Sequence, residues 1–270
     1  MLYTKSSIRE YNSCPLRYQY KYIDRIDITA PPFLIEPSSA MQIGINVHSI
    51  FETNQRLEST DYKSQLANVM WECSFYAEKE LQFPHLNIIE REKELYTDIG
   101  EFHLGGKVDA IATMDNSLWI IDYKTSSRIL KDSFYYEMQT EFDFYTYLAR
   151  ANRYEAKGVI LYYLRRPSLY RRKKETNDEY ISRCAEDIIN RIDTYYKLIK
   201  IPKEKINEKD IINTIAHCEL DTFSGYFRRN TNNCNEYNSK CVYAPLCLGI
   251  MDKKDCQIKE QPHSELKENK

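Results

Sequence analysis

GGKVDAIATMDNSLWIIDYKTS, residues 105–126, is the stretch that decides the fold. Two apolar, β-branched runs flank Asp115-Asn116, the residue types that tolerate the left-handed turn of a two-residue hairpin. With that loop, paired positions sum to a constant: Met114 faces Ser117, and Asp109 faces Asp122. Directly opposed residues share a face with Cβ atoms roughly 4.5–5.5 Å apart. Lys124 joins them, because side chains two apart on a strand point the same way. Two carboxylates and a lysine thus converge among apolar neighbours such as Ile111, Ile120 and Ile121. Opposed like charges destabilise a sheet unless something compensates them. A divalent cation with oxygen ligands does so; a salt-bridged trio on an exposed sheet edge is the alternative.

Upstream, EKELYTDIG (92–100) has strand character, so three antiparallel strands are predicted in succession. Downstream, a helix is expected near Phe134–Asn152, a strand at AKGVILYYL (156–164), a basic loop, and a helix around Asp178–Ile199. Before the strands come a short amphipathic helix, a Cys-Pro break and a basic-aromatic helix. A loop follows over 24–42, carrying Pro31, Pro32 and Pro37, and then a helical region over about 44–82. This order suits an α/β fold with a central mixed sheet flanked by helices. A single domain over 1–250 with its core at about 90–200 is expected, and a polar tail over 251–270 that frays.

The 270 residues are 42% hydrophobic and 29% charged, a globular composition. A net charge of −2 requires any nucleic-acid surface to be local. The N-terminal segment has no apolar signal region, and no apolar run approaches the roughly 18 residues of a membrane span. A cytoplasmic location is therefore expected. In that reducing setting, eight cysteines point toward metal or cluster ligation rather than disulfides.

Gly106-x-x-Asp109 on one strand and Asp122-x-Lys124 on the next resemble the signature of the PD-(D/E)XK nuclease superfamily. The chain has Val-Asp for Pro-Asp and Asp for Glu, as the RecB-like branch allows. The resemblance implies a restriction-endonuclease-like core, with Asp109, Asp122 and the main-chain carbonyl of Tyr123 as ligands for Mg²⁺ or Mn²⁺. It implies Lys124 as the catalytic lysine. GINVHSIFE (44–52) places His48 on a helix before the strands, where RecB-like members carry a metal-binding histidine; a structural histidine is the alternative. Their Gln-x-x-x-Tyr helix is matched loosely by EMQTEFDFYTYLA (137–149). Helical phase makes Met138, Phe142, Tyr145 and Ala149 the buried face, with Glu141 beside it and Gln139 pointing away. Glu141 and Tyr145 are the favoured occupants, Gln139 the other candidate, and a plain amphipathic helix the alternative.

NCNEYNSKCVYAPLC (233–247) contains Cys234, Cys241 and Cys247, and Cys14 precedes Pro15 far upstream. One early and three late cysteines resemble the RecB-like iron–sulfur nucleases, among them the CRISPR-associated exonucleases and the AddAB nuclease domain. That implies a [4Fe–4S] cluster on four thiolates. The long first spacing leaves zinc, and unligated thiols, as alternatives. Cys73, Cys184, Cys218 and Cys256 match nothing in the pattern.

LRRPSLYRRKK (164–174) offers Arg165, Arg166, Arg171 and Arg172 to a phosphate backbone, or is a solvated loop. The resemblance as a whole implies a metal-dependent DNA nuclease, an exonuclease by expectation, acting on DNA with single-stranded character in repair, recombination or CRISPR adaptation. A helicase or CRISPR-adaptation partner protein would go with it. The alternatives are a non-cutting, cluster-containing DNA-binding or scaffold subunit of the same fold, and a zinc-stabilised interaction module.

Overall fold

The computed structural model describes residues 1–129, 139–236, 239–263 and 266. The chain enters as strand β1 (Leu2–Tyr3), then helix α1 (Lys5–Ser13) and helix α2 (Pro15–Tyr18), which runs on as a wider turn through Gln19–Ile23. Helices α3 (Ser39–Thr53) and α4 (Tyr62–Glu80) precede strands β2 (Asn87–Ile99), β3 (Phe102–Met114) and β4 (Ser117–Ser126). Helix α5 (Thr140–Ala151), strand β5 (Ala156–Arg165), helices α6 (Asn177–Asn190) and α7 (Ile192–Tyr195), strand β6 (Tyr196–Pro202) and helix α8 (Glu208–Ser224) complete the core.

The β3–β4 hairpin turns where the sequence requires it. Asp115 and Asn116 have φ of 50° and 57°, the left-handed pair of a tight hairpin whose twist matches its strands. Met114 pairs with Ser117, and the ladder continues to Ala110 opposite Ile121. Beyond that point the two strands fork. β2 covers one edge of β3 from Phe102 to Thr113, so β1, paired in parallel to His103 and Leu104, occupies the same edge as β4. β4 continues alone beside β5 in parallel, and β6 pairs antiparallel to β5. The sheet is mixed, as expected.

Alternation along the strands fills two cores. Val108, Ile111, Ile120, Val159 and Leu161 pack on the side of α1, α5 and α8. Ala110, Ile121, Tyr123, Ile160 and Tyr162 pack on the side of α3, α4 and α6. Burial on both faces explains why the central strands read as near-continuous apolar runs. Asp122 and Lys124 therefore project toward the α1–α5 side, in phase with Ile120.

Two expectations need correction, and two elements were unforeseen. The helix predicted to reach Ile199 ends at Asn190, and Tyr196–Pro202 is strand β6, with Ile199 and Ile201 buried and Lys200 exposed. Pairing with β5 overrides the local helical pattern there. The helix expected from Phe134 is described only from Thr140; 134–138, Met138 included, lie outside the described residues. Helix α8 and strand β1 were not foreseen. The tail expected to fray packs back: Ile258 bridges Ile26, His263 stacks on Tyr22 at 5.1 Å, and Leu266 is buried. Among the described residues, no helix is long and apolar enough to cross a membrane.

Candidate active site

The fork between β3 and β4 is filled by side chains instead of ladder hydrogen bonds. The Tyr123 backbone N–H donates to Asp109 Oδ2 at 2.8 Å, so the carboxylate takes over from the strand one residue past the last pair. The Tyr145 hydroxyl, on α5, donates to the Lys107 carbonyl at 3.2 Å in the same gap. Gly106 allows α5 this close: a Cβ there would lie 2.9 Å from Leu148 Cδ1 and 3.5 Å from the Tyr145 ring.

Asp122 is 3% exposed and draws two ammonium groups. Lys124 Nζ lies 2.7 Å from Oδ2 and Lys5 Nζ 3.7 Å from Oδ1. The Lys124 contact is close enough for an ion pair but poorly aligned for a hydrogen bond, so buried Oδ2 has no directed donor. Glu141 flanks Lys124 at 3.9 Å, and His48 Nδ1 lies 3.6 Å from Asp109 Oδ2.

The electrostatics separate the two carboxyls. Burial, then repulsion from Asp122, pushes Asp109 above the ordinary carboxylate range. Burial works the same way on Asp122, but Lys124 and Lys5 outweigh it and hold that carboxyl low. Burial opposes the charge on Lys124, yet Asp122 and Glu141 raise its affinity for the proton. Burial and both aspartates drive the Tyr145 phenol well above its usual value.

Asp109, Asp122, Lys124, Glu141, Tyr145 and His48 are thus brought together from β3, β4, α5 and α3. Gln139 was expected to point away, on the phase of a helix running through it. It stands instead as the residue before α5 and lines the same cleft as Glu141 and Lys124, because helical phase does not govern a cap position. Lys5 was missed altogether. It follows β1, and only the β1–β3 pairing carries it into the fork; no spacing in the sequence signals that contact.

The cysteine quartet also converges. Cys14, Cys234, Cys241 and Cys247 line one cavity of about 180 Å³ with Arg17, Tyr20 and Tyr243. The Asn230 backbone N–H donates to Cys14 Sγ at 3.4 Å, and the Asn230 and Asn233 amides both donate to the Ser13 carbonyl, at 2.8 and 2.6 Å. Burial pushes the Cys241 and Cys247 thiols up. Cys73 and Cys184 are buried in the α3–α4 core and Cys218 in the opposite one. Among the described residues, no three His, Cys, Asp or Glu side chains stand close enough to grip a single ion as they are.

The basic loop divides. The Arg165 guanidinium donates to the Ser127 carbonyl, and the Arg166 backbone N–H donates to the Ser126 carbonyl. The Arg171 guanidinium is taken by the Glu175 carbonyl and Asn177, and the Arg172 backbone N–H by Glu175.

A mixed sheet between helical layers, with paired carboxylates and a lysine on forking strands, is a restriction-endonuclease-like fold. The family model of the PD-(D/E)XK nuclease superfamily matches residues 3–247, and the chain belongs to that superfamily. Its members generally use divalent metals such as Mg²⁺ or Mn²⁺, and membership supports nuclease function here. A crystal structure from Eubacterium rectale, of a protein provisionally named an exonuclease, shares the fold. It has a TM-score of 0.52 at 13% identity, covering 84% of this chain and 83% of that one. The crystal structure of SSO0001 overlaps 81% of this chain and 90% of its own at 13% identity, with a TM-score of 0.35. No curated protein matches the sequence significantly.

Proposed function

We propose that the chain is a metal-dependent deoxyribonuclease of the RecB-like branch, an exonuclease acting on DNA with single-stranded character. The carrying observation is the fork itself, where Asp109, Asp122, Lys124, Glu141 and His48 converge beside an open cleft. The donor set fits a hard divalent cation: two carboxylates, one with a buried oxygen lacking a directed donor, and an imidazole. Asp109, Asp122 and the Tyr123 carbonyl would hold it, with His48 alongside. When bound, such an ion polarises a phosphate oxygen and lowers the pKa of a water.

The chain's own residues do the rest. Lys124 lines the cleft between Asp122 and Glu141, placed to orient a water and to stabilise charge growing on the phosphate. Tyr145, bonded to the Lys107 carbonyl, fixes α5 and with it Glu141. Incubating the protein with 5′- and 3′-labelled single strands and Mg²⁺ or Mn²⁺ tests the reading. Products should shorten from one end. Intact strands under every metal condition would sink it.

The cysteine cavity we read as the seat of a structural [4Fe–4S] cluster. Four thiols on one wall set are its supporting observation. Anaerobically purified protein with zinc in place of iron would overturn this part alone.

One observation favours a non-cutting DNA-binding subunit as the second reading. Lys5 and Lys124 between them already compensate Asp122 without any metal. Tight strand binding with no cleavage in either metal would select it.

A further inference from the structure

The cleft beside the fork, about 840 Å³, has α1 for one wall and the end of β4 for the other. Lys5, Arg9 and Asn12 face it at i, i+4 and i+7, within an arc of about 60° on the helix. Ile8, at the edge of this arc, touches both cleft and core, and Tyr11 turns into the core. Lys124 and Arg128 stand across from them. Lys5 and Lys124 are drawn toward Asp122 at the fork, so Arg9 and Arg128 are the cations that line the cleft away from the acidic pair.

The cations differ in what holds them. Arg17 and Lys21 pair with Glu10, and Arg171 is taken up by its own loop. Arg9 is exposed on the cleft wall and makes no ion pair or hydrogen bond among the described residues. Lys5 sits over the Tyr145 ring at 4.5 Å with Asp122 3.7 Å away, which aims its ammonium at the reacting end of the cleft. The wall is firmly mounted: Thr4 and Ser7 cap α1 reciprocally, the Tyr11 hydroxyl donates to Asp221 of α8 at 2.7 Å, and Asn230 and Asn233 hold its last carbonyl.

Resting on the nuclease reading above, we propose that this arc of α1 is the strand-binding wall. Lys5 contacts the phosphate beside the scissile one, and Arg9 the phosphate beyond it. Two cations about 6 Å apart along a helix suit consecutive phosphates of one extended strand. Asn12 and Ser13 continue the path toward Asn233, next to the cysteine cavity. The loop that carries Cys234 therefore shapes the far end of the track.

The test is fluorescence anisotropy of full-length protein on a labelled oligo-dT strand, with a chelator present to prevent cleavage. Arg9→Gln should raise Kd several-fold and reduce the slope of log affinity against log salt by about 0.7, the share of one phosphate contact. Arg9→Glu should weaken binding further. Lys5→Gln should raise Kd and, with metal restored, also lower turnover. Arg56→Gln, in an ion pair with Glu72 on the other side of the fold, should change neither. Melting temperatures of the Arg9 variants should match wild type, since the guanidinium makes no ion pair or hydrogen bond among the described residues. Wild-type Kd and salt slope in both Arg9 variants, or a larger loss from Arg171→Gln, would overturn the wall while leaving the nuclease reading intact. Wild-type protein that neither binds nor cuts the strand would overturn both.

Discussion

The acidic fork and the cysteine cavity each gather side chains to a point, but by opposite means. In the fork the two carboxylates, Asp109 and Asp122, sit 13 residues apart on one hairpin, and backbone register aligns them. In the cavity Cys14 meets a segment more than two hundred residues later, through loop hydrogen bonds and a small satellite core around Tyr20, Tyr243 and Leu246. The fork is built where the central ladder opens, and is asked to be reactive. The cavity is built where regular structure is sparse and is asked to hold. Losses at the first should therefore appear in rate, and losses at the second in stability.

The largest expected effect breaks the fork. Asp109→Ala or Asp122→Ala should each cut turnover by on the order of a thousandfold or more, the scale of losing charge stabilisation in a transition state. The fold should persist, although removing Asp122 unpairs half-buried Lys124 and so also lowers the melting temperature. A chelator should mimic the rate loss. Initial rates at saturating Mg²⁺ or Mn²⁺ check this, and near-wild-type cutting by Asp122→Ala would remove the site assignment.

Lys124→Ala should lower kcat by about 10²–10³ while strand affinity changes little, since its contacts strengthen as charge develops. Equal losses in kcat and affinity would make it a binding residue instead.

For the cavity the readout reverses. Cys241→Ser should lower stability by about 2–4 kcal/mol, as expected when a cross-link closing a very long loop is lost, and should bleach the iron absorbance. Cys73→Ser and Cys218→Ser should keep the iron. Full iron content and an unchanged denaturation midpoint in Cys241→Ser would dissolve the contrast between the two regions.

Smallest is the test of what joins them. Tyr11→Phe removes one hydrogen bond from α1 to Asp221 and should cost about 1 kcal/mol with iron content and metal response unaltered. Chemical denaturation measures it; loss of iron would show that the α1–α8 contact, not the thiols, secures the cavity.

The fork was legible because a strand's side-chain period is two and its turn residues were distinctive. Asp115-Asn116 set the register, and the register set Asp109 against Asp122. The same reasoning failed wherever a neighbour decided. Tyr196–Pro202 alternates weakly in sequence and becomes β6 only because β5 offers an edge. Gln139 was assigned a direction from a helix that starts one residue later. Lys5 enters the site through a two-residue parallel strand, too short to leave a pattern. The quartet of thiols was readable by resemblance, whereas the amides of Asn230 and Asn233 that bind its loop to α1 carry no local signature.

The fork also has a history in time. Its hairpin closes over a few residues and belongs to the microsecond class of events, while α1 finds Asp221, Asn230 and Asn233 only after most of the chain has been made. During synthesis the carboxylates are thus in register long before the wall that carries Lys5 is anchored. Pulsed hydrogen exchange during refolding should show the amides of 110–121 protected ahead of those of 8–14, and the reverse order would end this account.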